Sequence, residues 1–104
     1  MEEIDKLITE KLEDIINEIL NSESSDWRFS GYKERIQSDK YILYFSNNEL
    51  YIENVESCNV AIQNDIEKYI DLSLINELRR KVYSIQCDLY AIDRRNKLKE
   101  FLEL

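Results

Sequence analysis

Carboxylates, two thiols and a few arginines are the side chains of this sequence that could do chemistry. The 104 residues include no histidine and a single glycine, Gly31. Without imidazole there is no Ser-His or Cys-His nucleophile pair and no histidine metal ligand. Walker and dinucleotide-binding loops are also excluded, because their backbones need several glycines to approach phosphate. The composition therefore predicts a protein that is not an enzyme and that holds no cofactor and no metal ion.

Glu10, Glu13 and Asp14 are the nearest approach to a set of catalytic carboxylates. Paired carboxylates serve glycoside hydrolysis, and clustered ones bind Mg²⁺. These three lie away from the apolar stripe of a predicted helix, and nothing in the pattern buries them. A solvated helical face is therefore the favoured interpretation. A small enzyme or nucleotide-binding protein, built on carboxylates with Arg94 and Arg95, stays open as an alternative.

The two cysteines, Cys58 and Cys87, are 29 residues apart and have no CxxC spacing. The acidic opening, residues 1–5, has no feature of a signal peptide, so we expect reduced thiols in a cytoplasm, with Cys87 packed inside a helix. A disulfide between the two cysteines is the less favoured alternative. Cys58 has no histidine and few bases to support a thiolate. The longest apolar runs, such as residues 41–45, are far below the roughly 20 residues of a membrane span. We therefore expect no membrane partner.

The first element that positions these side chains is a helix over residues 4–20. Its apolar residues recur at steps of three and four, and acidic residues occupy its first turn, where the helix dipole favours negative charge. The stripe comprises Ile4, Leu7, Ile8, Leu12, Ile15, Ile16, Ile19 and Leu20.

A β-hairpin is predicted next, because residues 41–45 and 50–55 are rich in aromatic and β-branched side chains. Asn47 and Asn48 between them tolerate the left-handed backbone of a two-residue turn. With that loop, one face of the hairpin pairs Phe45 with Leu50, Leu43 with Ile52 and Tyr41 with Asn54. This face is the more apolar of the two and should pack against the core. Residues 27–36 are predicted as a third strand, with Gly31 marking a bulge or a break.

Helical periodicity resumes at Asn59 and predicts a short helix that includes Ile66 and Ile70. A longer one follows, with Asp71 or Ser73 as its cap. Residues 73–104 form either one bent helix or two, because the stripe that begins at Leu74 is interrupted near Arg95. The expected fold is a single α+β domain, residues 1–104: an N-terminal helix, a two- or three-stranded antiparallel meander, a short helix and a long C-terminal helix.

Charge is spread unevenly along the chain, whose net charge is −8. Residues 1–26 carry nine acids and two bases, whereas residues 79–104 carry seven bases and four acids. A negative domain without a long basic tract repels nucleic acid, so we expect no direct nucleic-acid contact and a protein partner with a basic surface. The first helix carries an acidic ridge, which either mimics the phosphates of nucleic acid or simply keeps a surface helix soluble. The ridge comprises Glu3, Glu10, Asp14 and Asn17, with Glu13 and Glu18 alongside.

Tyrosines supply the second set of candidate contacts. Tyr44, Tyr51 and Tyr32 fall on the less greasy sheet face, which is either exposed or covered by helices. Tyr83, Cys87 and Tyr90 form a second stripe on the long helix, which is either core or pairs with the same helix of another copy in a homodimer. The candidate partner-binding residues are Glu3, Glu10, Glu13, Asp14, Tyr44, Tyr51, Tyr83 and Tyr90.

Together these features predict a non-catalytic protein-binding inhibitor. Its scarcity of glycine, proline and alanine is typical of AT-rich coding sequence, which favours a low-GC bacterium or its phage. The most specific hypothesis is a phage-encoded anti-defence protein, similar to an anti-CRISPR, that blocks a nuclease or effector in the cytoplasm of a bacterial host. An antitoxin or immunity protein that neutralises a basic toxin predicts the same surface chemistry and stays open.

Overall fold

The computed structural model describes residues 2–104, and the side chains of Tyr32 and Lys33 lie outside the described part. The fold is α+β, as expected, with helices at both ends of an antiparallel sheet. Its elements are α1 (Glu2–Leu20), a single 3₁₀ turn (Ser24–Asp26), β1 (Arg28–Ser30), β2 (Tyr32–Gln37), β3 (Tyr41–Ser46), β4 (Glu49–Asn54), β5 (Val60–Ile62), α2 (Gln63–Ile66) and α3 (Leu72–Phe101).

The sheet is a meander in the order β1-β2-β3-β4-β5, with every neighbouring pair antiparallel. The predicted β3–β4 register is confirmed, since Phe45 pairs with Leu50 and Leu43 with Ile52. Asn47 and Asn48 form the turn with φ of 51° and 65°. These positive values match the right-handed twist of the flanking strands, which is why asparagine suits both positions.

The expectation of two or three strands is wrong, because the sheet has five. The segment predicted as one strand is two, β1 and β2, which fold back on each other at Gly31. Gly31 has a φ of 63°, and Ser30 pairs with Tyr32 across it. Glycine adopts this left-handed conformation at no steric cost, so the residue reverses the chain rather than merely bending a strand.

The short helix predicted from Asn59 is also corrected, since Val60–Ile62 is the edge strand β5 and only Gln63–Ile66 is α-helical. Val60 and Ile62 are β-branched and pair with Glu53 and Tyr51 of β4. The Gln63 side chain continues the pairing, because its Oε1 accepts a hydrogen bond from the backbone N–H of Leu50 at 2.9 Å. A strand partner thus overrides the helical spacing.

Helix α3 is one continuous helix of 30 residues, about 45 Å long, which answers the question that periodicity left open. Asp71 is its N-cap, although its side chain makes no capping hydrogen bond. The buried side chains of α3 end at Leu89, and Ile92, the last residue of the predicted stripe, is exposed. The last third of the helix therefore projects beyond the core.

The core lies between the helices and one face of the sheet. The fully buried sheet residues Ile36, Leu43 and Leu50 share that face, as predicted for the greasier side of the hairpin. On α1 only Ile16 and Ile19 are buried, so the first turns of the predicted stripe do not enter the core. The buried apolar residues of α3 are Ile75, Leu78, Val82, Ile85 and Leu89.

Candidate protein-binding surfaces

The acidic ridge of α1 includes Glu3, Glu10, Glu13 and Asp14, all of which are exposed. Among the described residues, none of the four makes a salt bridge or a side-chain hydrogen bond. Their spacing of three, four and seven residues places Glu3, Glu10 and Asp14 on one side of the helix. The ridge is therefore a set of solvated negative charges available to a basic surface.

Glu18, which is predicted to lie alongside the ridge, is bound to the β2–β3 turn instead. Its Oε1 lies 2.7 Å from Lys40 Nζ, and its Oε2 accepts a hydrogen bond from the Tyr41 hydroxyl at 3.3 Å. The hydrogen bond and charge of Glu18 raise the pKa of Lys40 above its ordinary 10.5. The pKa of Tyr41 is also raised from 10.0, chiefly because burial disfavours the phenolate and secondarily because of Glu18. This cluster joins α1 to the sheet.

A cleft of ≈ 510 Å³ adjoins this cluster. The Trp27 ring N–H donates to Ser22 Oγ at 2.9 Å, and the hydroxyl of Tyr41 is already bound to Glu18. On the rim Glu18 pairs with Lys40, whereas no salt bridge among the described residues includes Asp26, Arg28 or Asp39. Its lining residues are Glu18, Ile19, Ser22, Ser25, Asp26, Trp27, Arg28, Ser38, Asp39, Lys40 and Tyr41.

The outer face of the sheet, on the side away from the helices, carries a tyrosine pair. Tyr44 and Tyr51 are cross-strand neighbours whose rings stack at 5.1 Å between centroids and 13° between planes. The guanidinium carbon of Arg35 lies 4.1 Å from the Tyr44 ring centroid. Both rings are half-buried, and they lie on the sheet face opposite the core residues Leu43 and Leu50. Tyr32, the third candidate, has its side chain outside the described part.

A second aromatic surface lies on α3, and we call it the aromatic face: Tyr83, Cys87 and Tyr90. All three residues are exposed, with 45% of Tyr83 and 38% of Tyr90 accessible to solvent. Each tyrosine rests on a partly buried phenylalanine of the sheet, Tyr83 on Phe45 and Tyr90 on Phe29. Their centroid separations are 4.4 and 4.9 Å.

The expectation that Cys87 is packed inside the helix is wrong, because its thiol is exposed. Cys87 follows Tyr83 by four residues and precedes Tyr90 by three, so it shares their solvent-facing side rather than the core side of Ile85 and Leu89. Cys58 is also a free, exposed thiol, on the turn that leads to β5. The sequence carries no clear signal for this placement, because the spacing of Tyr83, Cys87 and Tyr90 fits a buried stripe equally well.

Arg79 fixes one end of the aromatic face. Its guanidinium donates to the Asn48 carbonyl at 2.8 Å and to Gln63 Oε1 at 2.6 Å. The same group lies 4.9 Å from the Phe45 ring centroid. Arg79 therefore joins α3, the β3–β4 turn and α2, a structural role that the basic clusters of the sequence did not reveal.

The free ends of the two long helices expose large apolar side chains that belong to no core. We call residues 92–104 the α3 extension and residues 2–7 the α1 tip. Each of these apolar side chains is more than half exposed, and Phe101 is 80% exposed. They are Ile4 and Leu7 in the α1 tip, and Ile92, Leu98, Phe101, Leu102 and Leu104 in the α3 extension.

Several kinds of site are missing from the part of the chain that the structure describes. Residues 2–104 contain no group of three or more Asp, Glu, Cys or His side chains placed to hold a metal ion. Among the described helices, none combines the length and the apolarity needed to cross a membrane. No protein-family model matches the chain, and neither a curated protein nor a solved structure matches it. Its function must therefore be inferred from its surfaces.

Proposed function

We propose that this protein acts without catalysis, by binding a larger protein and inhibiting it. The observation that carries the proposal is the aromatic face, where Tyr83 and Tyr90 are exposed yet rest against Phe45 and Phe29. Exposed tyrosines are enriched among the residues that dominate binding energy at protein interfaces. A ring that is already held by a neighbour loses less conformational freedom when a partner covers it.

The acidic ridge supplies the second half of the proposal. Glu10, Glu13 and Asp14 are exposed and have no partner charge among the described residues. Their field attracts a basic surface over a range set by the ionic strength, which accelerates encounter more than it strengthens the final complex. In this account the ridge selects and steers a basic partner, and the tyrosines provide the buried contact.

The specific form of the proposal is an anti-defence protein that blocks a bacterial nuclease or effector in the cytoplasm of the host cell. A small acidic inhibitor suits a target whose own groove is basic because it binds nucleic acid. The genomic neighbourhood separates this form from its alternative. Phage or anti-defence genes nearby would support it, and a gene for a basic toxin next door would identify an antitoxin or immunity protein instead.

The experiment is affinity capture from a host lysate, followed by binding measurements on the purified partner. The test variant is Glu10→Lys/Asp14→Lys. We expect its association rate with the partner to fall by about tenfold or more at low salt, and the difference to shrink as salt rises. The control is Glu56→Lys/Glu77→Lys, which makes the same change in net charge at two exposed carboxylates outside α1.

Equal effects of the two variants would show that net charge alone governs binding and would remove the ridge from the proposal. Turnover of a small molecule or a nucleic acid by the purified protein, abolished by a substitution in this chain, would overturn the non-catalytic account as a whole.

A further inference from the structure

The α3 extension presents an apolar side that does not continue the core. The spacing of Ile85 and Leu89 leads next to Asp93, Asn96 and Glu100, so the core-facing side becomes polar after Leu89. The exposed side chains of Leu98 and Phe101 are instead rotated onto the side that carries Tyr90. Burial of these side chains therefore requires something other than the sheet and helices that cover residues 75–89.

The two helix ends differ in the sign of their net charge, since the α3 extension has four bases and three acids and the α1 tip has three acids and one base. Arg94, Arg95, Lys97 and Lys99 surround the apolar side chains of the α3 extension, and only Lys97 among them makes a described salt bridge, to Asp93 at 3.1 Å. In the α1 tip, Ile4 stands among Glu2, Glu3 and Asp5. Although α1 packs against α3, none of the described salt bridges joins the two helices. Apart from the Lys97–Asp93 pair, the charges of the two helix ends are therefore not paired by any described salt bridge within one chain.

We propose that the protein forms a two-fold symmetric dimer in which the α1 tip of each copy packs against the α3 extension of the other. The two surfaces are complementary, since both expose leucine and isoleucine and their net charges have opposite sign. Every copy carries one of each surface, so a two-fold axis satisfies both at once and closes the assembly.

Charge also distinguishes this arrangement from direct pairing of two α3 extensions. In a parallel alignment, that alternative places the Arg94–Arg95 cluster of one copy near the same cluster of the other, and like charges at an interface oppose association. The α1 tip offers the extension three carboxylates instead. A second copy of this chain is therefore the occupant whose chemistry the extension fits.

The first test is the mass of the purified chain in sedimentation equilibrium across a concentration series. We expect a transition from 12.6 kDa to twice that mass as the concentration rises into the high micromolar range. Leu98→Asp/Phe101→Asp should remain monomeric at every concentration. Both side chains are more than half exposed in the single chain, so the substitutions leave the core intact. Far-UV circular dichroism checks that the fold persists.

The second test is a charge swap that reports which surfaces meet. Glu2→Lys/Glu3→Lys and Arg94→Glu/Arg95→Glu should each weaken dimerisation by about tenfold at low salt, because each places like charges together. The combined four-site variant restores opposite charges and should regain most of the lost affinity. A chain that stays monomeric, or a combined variant that is no better than its parents, would overturn the proposed dimer.

The dimer does not depend on the proposed function. A monomeric chain that still binds its partner through Tyr83 and Tyr90 would remove the dimer alone. Conversely, a dimer of the predicted charge pattern would stand even if no partner protein were found.

Discussion

The ring of Tyr83 stacks on that of Phe45, with centroids 4.4 Å apart and planes inclined by 9°. One ring belongs to α3 and the other to β3, so the contact locks the long helix against the sheet. Phe45 also lies under the guanidinium of Arg79, at 4.9 Å from its ring centroid. Tyr83 nevertheless keeps nearly half of its surface in solvent. The pair thus combines a packing role with an accessible, oriented ring.

Truncation of this ring should cost stability. Tyr83→Ala removes the stacked pair, and we expect the free energy of unfolding to fall by about 1 kcal/mol, the range of a stacked aromatic contact. Tyr83→Phe keeps the ring and should unfold like the wild type in urea. Equal losses in the two variants would instead assign the effect to the hydroxyl, and no loss in Tyr83→Ala would show that the stack does not stabilise the fold.

Alkaline pH should destabilise the protein through Lys40 and Tyr41. Glu18 raises the pKa of Lys40 above 10.5, so the stabilising interaction is fully present below that value and is lost as pH rises through the folded-state pKa. The pKa of Tyr41 is raised from 10.0, chiefly by burial, so the unfolded chain ionises first and the folded state again loses stability above that pH. The melting temperature should therefore fall above about pH 10.

Glu18→Gln is the matched variant for this pH effect. It removes the carboxylate that holds the Lys40 proton, so its melting temperature should start lower at neutral pH and decline less steeply in the alkaline range. Spectroscopic titration of the phenol should still show a raised pKa for Tyr41, because burial is the first cause. If the melting temperatures of the wild type and the variant fell equally steeply at alkaline pH, the role assigned to Glu18 would be contradicted.

Two leucines of α3 provide a test of where the core ends. Leu78 is 1% exposed and Leu98 is 58% exposed. Leu78→Ala should lower the free energy of unfolding by about 2–5 kcal/mol, the usual cost of a cavity in a packed core. Leu98→Ala should change it by no more than about 0.5 kcal/mol at concentrations where the chain is monomeric. Comparable losses would mean that the extension packs within its own chain.

The turn at Gly31 should tolerate only residues that accept a left-handed backbone. Its φ is 63°, and a Cβ placed there meets no atom within 4 Å, so the cost of a substitution comes from the backbone alone. Gly31→Ala should destabilise the protein by about 1–2 kcal/mol. Gly31→Asn should cost less, because asparagine visits this region more readily. Wild-type stability of Gly31→Ala would contradict the assigned turn.

The central hairpin was predictable because its signals are local and agree with one another. The alternation of side chains in residues 41–45 and 50–55 predicted which residues lie on each face of the sheet. The Asn47-Asn48 turn determined the register of β3 and β4. The outer strands were not predictable from the sequence, because the local signals in their residues are ambiguous. Gly31 could bend a strand or end it, and residues 60–62 are too few for alternation to outweigh the helical spacing that follows.

The candidate surfaces were predictable only in part. The charges of α1 follow from sequence, since acidic residues off an apolar stripe stay in solvent. The exposure of Tyr83 and Tyr90 does not follow from the sequence, because their spacing fits a buried stripe equally well. Their phenylalanine partners, Phe29 and Phe45, lie far away in the sequence and carry no motif. The cleft that includes Trp27 and Tyr41 was not predicted either, because its lining residues come from two separate segments and form no motif.

The most direct test is a calorimetric titration of the purified partner with wild-type protein and with the variant Tyr83→Ala/Tyr90→Ala. The account predicts saturable binding by the wild type and a loss of about 2 kcal/mol or more in the variant, roughly thirtyfold in Kd, as for truncated interface tyrosines. Tyr83→Phe/Tyr90→Phe should bind nearly as well as the wild type. Undiminished affinity of the alanine variant would contradict the claim that this protein acts through the aromatic face of its long helix.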